Sequence, residues 1–130
     1  MYTFRKEERL CSRKLLDKLF KEGSSFLIYP FRVVYLPENT PSGAPAQIVI
    51  IVPKRRFKRA AIRNLIKRRV REAYRLNKEA LLYPSLLEHN VKLLLSLQYV
   101  GKEIADFKFL EKKLKSVMSQ LSDTYAHIHR

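Results

Sequence analysis

Eleven of the 22 residues in KRRFKRAAIRNLIKRRVREAYR, Lys54 to Arg75, are Lys or Arg, and Glu72 is the only acid among them. Like charges held this close repel one another unless a polyanion neutralises them. Arg outnumbers Lys eight to three here, and the guanidinium fork pairs with phosphate through two parallel hydrogen bonds. Phosphate binding is therefore the chemistry the segment offers. Hydrolytic chemistry would need a positioned acid and base, or carboxylates gathered around metal ions. The aspartates are Asp17, Asp106 and Asp123, the nine glutamates are scattered, and no Asp-x-Asp pair occurs. His89 stands alone, His127 and His129 give two ligands without a third, and Cys11 has no histidine nearby in sequence. No catalytic and no metal-ligating residue is assigned.

The elements that must carry these cations belong to one domain, since 130 residues suffice for a core without staples. A net charge of +15 points first to nucleic acid. The 46% apolar content argues against global disorder. A membrane-surface role is weakened because the basic segment sits between two apparent strands and is not a detachable amphipathic helix. The N-terminus is too polar for a secretory signal, no apolar run is long enough to span a bilayer, and the lone cysteine suits a reducing compartment. A cytoplasmic location is expected.

Hydrophobic spacing gives the order of elements. EERLCSRKLLDKLFKEG reads as a helix stopped at Gly23. SSFLIYPFRVVYLPE, broken by Pro30, reads as two strands or one kinked strand. QIVIIVPK reads as a strand covered on both faces, and VKLLLSLQYV as another with Val91, Leu93, Leu95, Leu97 and Tyr99 on one face. A last helix runs from Asp106 to about Leu121. The order is αβββαβα, an α+β sandwich over residues 1–121, with 122–130 expected as a flexible tail.

On a helix at about 100° per residue, Ile62, Leu65, Ile66, Val70, Ala73 and Leu76 share an arc of about 120°. Arg63, Lys67, Arg68, Arg71, Arg75 and Lys78 fall opposite, with Asn64 among them. One face packs on a sheet while the other presents cations without alternating acids. Arg69 falls inside the apolar arc; either it reaches from the edge into water, or it makes a second RNA contact.

Arg63, Asn64, Lys67, Arg68 and Arg71, followed by Glu72, Ala73 and Tyr74, resemble the signature of the bacterial ribonuclease P protein subunit. The likeness covers roughly residues 4 to 121, includes Arg9, Leu10 and the helix ending LFKEG, and matches the αβββαβα order shared with a ribosomal-protein domain. The resemblance implies the protein component of an RNA-based endonuclease, whose RNA with Mg²⁺ removes the 5′ leader of precursor tRNA. It implies catalytic-RNA contacts at Lys54, Arg55, Arg59, Arg63, Asn64, Lys67, Arg68 and Arg71. It implies a leader cleft at Leu16, Phe20, Phe31 and Tyr35, precursor tRNA as second partner, and a 1:1 protein–RNA holoenzyme. The sequence departs from the pattern at Leu16, where the family often has an aromatic, and at Leu65 and Arg69, whose characters are exchanged. A ribosomal-type structural RNA-binding protein and a major-groove DNA reader are the alternatives, although cations along the whole helix suit backbone contact better than base reading.

Overall fold

The computed structural model describes residues 3–128, with side chains as far as Tyr125. Ser12 opens helix α1 (Arg13–Glu22) by accepting a hydrogen bond from the Leu15 N–H at 3.3 Å. Gly23 ends it: a Cβ there would run into the Leu19 carbonyl and stand 3.0 Å from the Tyr35 carbonyl. The chain then forms a hairpin of β1 (Ser24–Ile28) and β2 (Phe31–Pro37), turning at Tyr29-Pro30, followed by β3 (Ala46–Ile51). Helix α2 (Ala60–Leu81), a short α3 (Tyr83–Glu88), β4 (Leu93–Tyr99) and α4 (Phe107–Ile128) complete it.

The sheet order is β1-β2-β4-β3, so the last strand in sequence lies inside the sheet, antiparallel to β2 and parallel to β3. Alternation then sets two faces. Phe31 and Val33 of β2, Ala46 and Ile48 of β3, and Leu93, Leu95, Leu97 and Tyr99 of β4 form the main core with Ile66, Val70 and Ala73 of α2 and Leu110, Leu114, Val117, Met118 and Leu121 of α4. The other face carries a smaller cluster of Leu10, Leu19 and Leu94, against which Leu15, Leu16, Val34, Leu36 and Val49 pack. Each fully buried leucine contributes roughly 1.5–3 kcal/mol.

The expected α+β sandwich is present, with four differences. The strand buried on both faces is β4; β3 is an edge strand, shielded at its rim where Arg9 bridges Ile48 and the Leu10 N–H reaches the Ile48 carbonyl at 2.9 Å. Continuous apolar sequence reports burial but not which strand is central. Helix α3 is an addition to the expected order: Pro84 reads as a stop, whereas it opens a new helix, where a missing N–H costs nothing. The expected loose tail from residue 122 is instead helix as far as Ile128, because Tyr125 follows Leu121 by one turn and is buried. The side chains of His127 and His129 lie outside the described residues.

The fourth difference is Lys78, expected on the outer face and in fact 1% exposed. The segment before α1, with a 3-10 turn at Lys6–Glu8, folds across the second half of α2. Glu8 pairs with the Lys78 ammonium and accepts from the Tyr83 hydroxyl at 2.5 Å and from the Arg5 N–H at 2.6 Å. The Phe4 ring meets Tyr74 edge-on at 6.0 Å and lies 5.7 Å from the Lys78 nitrogen. This strap covers the Tyr74 and Lys78 side of α2, while Glu72, Glu79 and Ala80 remain exposed.

Candidate nucleic-acid interface

The strap determines where the cationic surface ends. Upstream of it Asn64, Arg68 and Arg71 are exposed and Lys67 is half-buried, while Ile66 and Val70 face the core. In the loop between β3 and α2, Lys54, Arg55 and Arg59 are exposed, and Arg56 and Lys58 stand exposed with them. Among the described residues none of these cations is ion-paired; Glu72, the segment's acid, is taken by Arg75. Unanswered guanidinium and ammonium groups therefore cover one continuous loop-and-helix surface.

Arg63 stands apart. It is half-buried, and its Nη1 donates to the carbonyls of Phe57 and Lys58, both at 2.8 Å. It ties the loop to the first turn of α2, and Phe57 seats the same loop on Tyr99 with ring centroids 5.9 Å apart. Arg63 thus fixes its cationic neighbours in place, a role the helical wheel does not reveal. Arg69 is a second clamp: its Nη1 donates to the Ala105 carbonyl at 2.8 Å, fastening α2 to the β4–α4 loop.

A second surface lies on the opposite face of the sheet, beside α1. Pairing aligns three rows across the strands: Leu36–Leu94–Gln47, then Ser25–Val34–Ser96–Val49, then Leu27–Arg32–Gln98–Ile51. The first row lies at the level of the small α1 cluster. In the last row Leu27 and Arg32 are exposed, and Gln98 and Ile51 are half-buried. Phe20 of α1 is 50% exposed, and Leu16 is half-buried against the small cluster. Ile51 lies three residues before Lys54, so this floor runs into the cationic loop.

Two of the four expected cleft residues are elsewhere. Phe31 is 1% exposed and packs on Tyr99 in the main core, so it cannot line an open cleft. Tyr35 has the same parity and packs on Phe26 and Tyr125. The reason is period two: residues 31 and 35 face α4, and residues 32 and 34 face α1. The residues that do stand on the open face, and that are missing from the expected set, are Arg32, Leu27 and Gln98. A charged Arg32 between Phe31 and Val33 is the available signal for which parity faces solvent.

The fold as a whole has counterparts among known proteins. The family model for ribonuclease P matches residues 4–122. This chain belongs to the ribonuclease P protein family. It is 38% identical over 117 residues to the ribonuclease P protein component of Porphyromonas gingivalis, covering 90% of this chain and 85% of that one. It is 38% identical over 76 residues to that of Petrotoga mobilis, covering 58% of this chain and 61% of that one. The ribonuclease P protein of Thermotoga maritima superposes with a TM-score of 0.69 at 25% identity, covering 87% of this chain and 96% of that one. That of Staphylococcus aureus, at 18% identity and a TM-score of 0.67 over 87% and 94%, shares the fold. As a ribonuclease P protein component, the chain has an RNA partner and belongs to the enzyme that processes tRNA 5′ ends. Among the described residues no helix is long and apolar enough to cross a membrane, and no group of three His, Cys, Asp or Glu could hold a metal ion.

Proposed function

We propose that the loop-and-α2 surface grips the catalytic RNA while the groove beside α1 holds the 5′ leader of precursor tRNA, the two polyanions meeting at Ile51–Lys54. The observation that carries this reading is the set of acid-free cations at Lys54, Arg55, Arg59, Arg68 and Arg71, all exposed, and half-buried Lys67, with exposed Asn64 between them. Their spread over a helix and its entry loop suits phosphates along a folded backbone, which carry charge but little sequence information. The groove suits a single strand: Arg32 supplies a cation, and Phe20 and Leu27 supply apolar surface for unpaired bases.

In this reading the protein binds and orients, and one copy serves one RNA. The chemistry of phosphodiester hydrolysis lies with the RNA. Mg²⁺ would neutralise charge at the reacting phosphate; the described residues do not offer a ligand set for it, so the ion is assigned to the RNA. The test is cleavage of a leader-containing precursor at modest Mg²⁺ by the partner RNA, with and without protein. The protein alone should be inactive, and its addition should increase cleavage. Equal cleavage with and without protein would refute the proposal. Arg32→Ala and Phe20→Ala should each weaken binding of precursor tRNA more than of mature tRNA; equal losses would place the leader elsewhere.

A further inference from the structure

Three of the large apolar side chains that remain exposed, Tyr29, Ile104 and Phe109, stand around a single cavity of about 300 Å³ that Pro30, Tyr99 and Ala105 also line. Large apolar groups gathered in this way mark a contact site more often than scattered ones do. The cup is rigidly built. The Tyr99 hydroxyl donates to the Glu103 carbonyl and accepts from the Ala105 N–H at 3.3 Å, so the β4–α4 loop is wound around one phenol. Arg69 binds the next turn of that loop to α2, and Asp106 caps the first turn of α4 through the Phe109 N–H at 2.9 Å.

From the cup a cationic stripe leads away along α4. Lys108, Lys112 and Lys115 are exposed at helical spacing, and none is ion-paired among the described residues. Glu111 does not answer them, since it is bonded to Asn77 of α2 at 3.0 Å. Lys113 holds its ammonium 5.6 Å from the Phe109 ring centroid. Contacts of Arg69 with Ala105, Asn77 with Glu111 and Ser85 with Ser122 show that α4 runs parallel to α2. The stripe therefore lies alongside the α2 cations on one helical layer.

We infer that the Tyr29–Ile104–Phe109 cup and the α4 lysines form a further RNA contact, seating one unpaired nucleobase in the cup with its flanking phosphates on the stripe of Lys108, Lys112 and Lys115. This rests on the reading that the chain binds RNA through α2, and adds a site outside both α2 and the α1 groove. A solvated helix face would explain the lysines but not the apolar cup at their head. A second basic copy of this chain would bring lysine against lysine, whereas RNA brings a base for the cup and phosphates for the stripe. Glu103 and Asp106 on the rim support the orientation: carboxylates repel phosphate from the cup itself and leave it to the base, whose aromatic face stacks on Phe109 and Tyr29.

The test uses the full chain and a 12-nucleotide single-stranded RNA carrying 4-thiouridine, cross-linked by light and mapped by peptide mass spectrometry. Adducts are expected on the peptides holding Tyr29 and Phe109, besides those of α2 and the α1 groove. Ile104→Glu, a change at an exposed loop position, should remove the cup adducts by at least about fivefold, the lower end of one stacked base, and leave the α2 adducts in place. Phe109→Ser should do the same if its far-ultraviolet circular dichroism matches the parent. Adducts confined to α2 and the groove would overturn the cup while sparing the α2 reading, as would cup adducts that survive Ile104→Glu. Concentration-dependent self-association abolished by Ile104→Glu, without cup adducts, would assign the surface to a second copy and overturn it too. Adducts nowhere would overturn RNA binding by this chain altogether.

Discussion

At the scale of single residues, the Glu8–Lys78 pair has the clearest energetic consequence. Burial pushes the Glu8 carboxyl up, but hydrogen bonds from Lys78, Tyr83 and the Arg5 N–H, with the Lys78 charge, outweigh it and hold the group below its usual range. A depressed carboxylate contributes stability above its unfolded pKa and loses it as pH falls through the folded value. Denaturant titrations from pH 7 downwards should therefore show a loss of stability beginning near about pH 4.5 that Glu8→Gln lacks. Lys78→Met should cost about 3–5 kcal/mol at pH 7, because it leaves a buried carboxylate without its cation. That penalty should shrink in acid, where Glu8 takes up a proton, and in the double variant with Glu8→Gln. A Lys78→Met loss that is the same at pH 7 and in acid would mean that packing alone holds the strap. Phe31 and Phe20 make a second contrast. Phe31→Ala should cost about 3–5 kcal/mol as a core truncation, whereas Phe20→Ala, at a half-exposed position, should leave the urea midpoint nearly unchanged.

At the scale of elements, α2 divides by function along its length. Replacing Lys67, Arg68 and Arg71 with Ala should not lower the melting temperature, since each removes an unpaired charge from a crowded cationic face. For every phosphate-binding cation so removed, the slope of log affinity against log salt should become shallower by about 0.7–0.9. Arg63→Ala should behave differently: without its two hydrogen bonds to carbonyls, stability should fall by about 1 kcal/mol and RNA binding should weaken through a loosened loop. An Arg63→Ala variant with full stability and the slope change of one phosphate ligand would return Arg63 to the ranks of simple cations. The split explains what is legible in the sequence. Periodicity names the face of α2 that meets the core and the cations upstream of residue 72, because those follow from 3.6 residues per turn. It misplaces Lys78 because what covers that position is a segment 70 residues away, about which the wheel carries no information. The resemblance, not periodicity, puts Phe31 and Tyr35 in the cleft; aromatics occur on both faces of the hairpin, and only the packing of α4 on one face and α1 on the other decides which is open. Pro84 and Tyr125 mislead for a local reason, since a proline that stops one helix can begin another and a single buried tyrosine extends a stripe without forming a period.

At the scale of the whole molecule, a charge of +15 on 130 residues is an electrostatic load on the folded state. Moving from about 25 mM to about 0.3 M sodium chloride shortens the screening length from about 20 Å to about 6 Å. The melting temperature of the free protein should therefore rise over that range, while its affinity for RNA falls. A melting temperature that drops with salt would mean that the few surface ion pairs, such as Lys18 with Glu38 at 2.7 Å, outweigh the mutual repulsion of the cations.

The position of β4 inside the sheet has a consequence for synthesis. Strands β2 and β3 emerge first but are not neighbours, and the slot between them stays vacant until residues 93–99 follow. During that interval the arginine-rich helix is already translated, with no finished platform beneath it, and long-range pairing of this kind is slow to form. A chain arrested just after α2 would carry most of its phosphate-seeking charge and no means of aiming it.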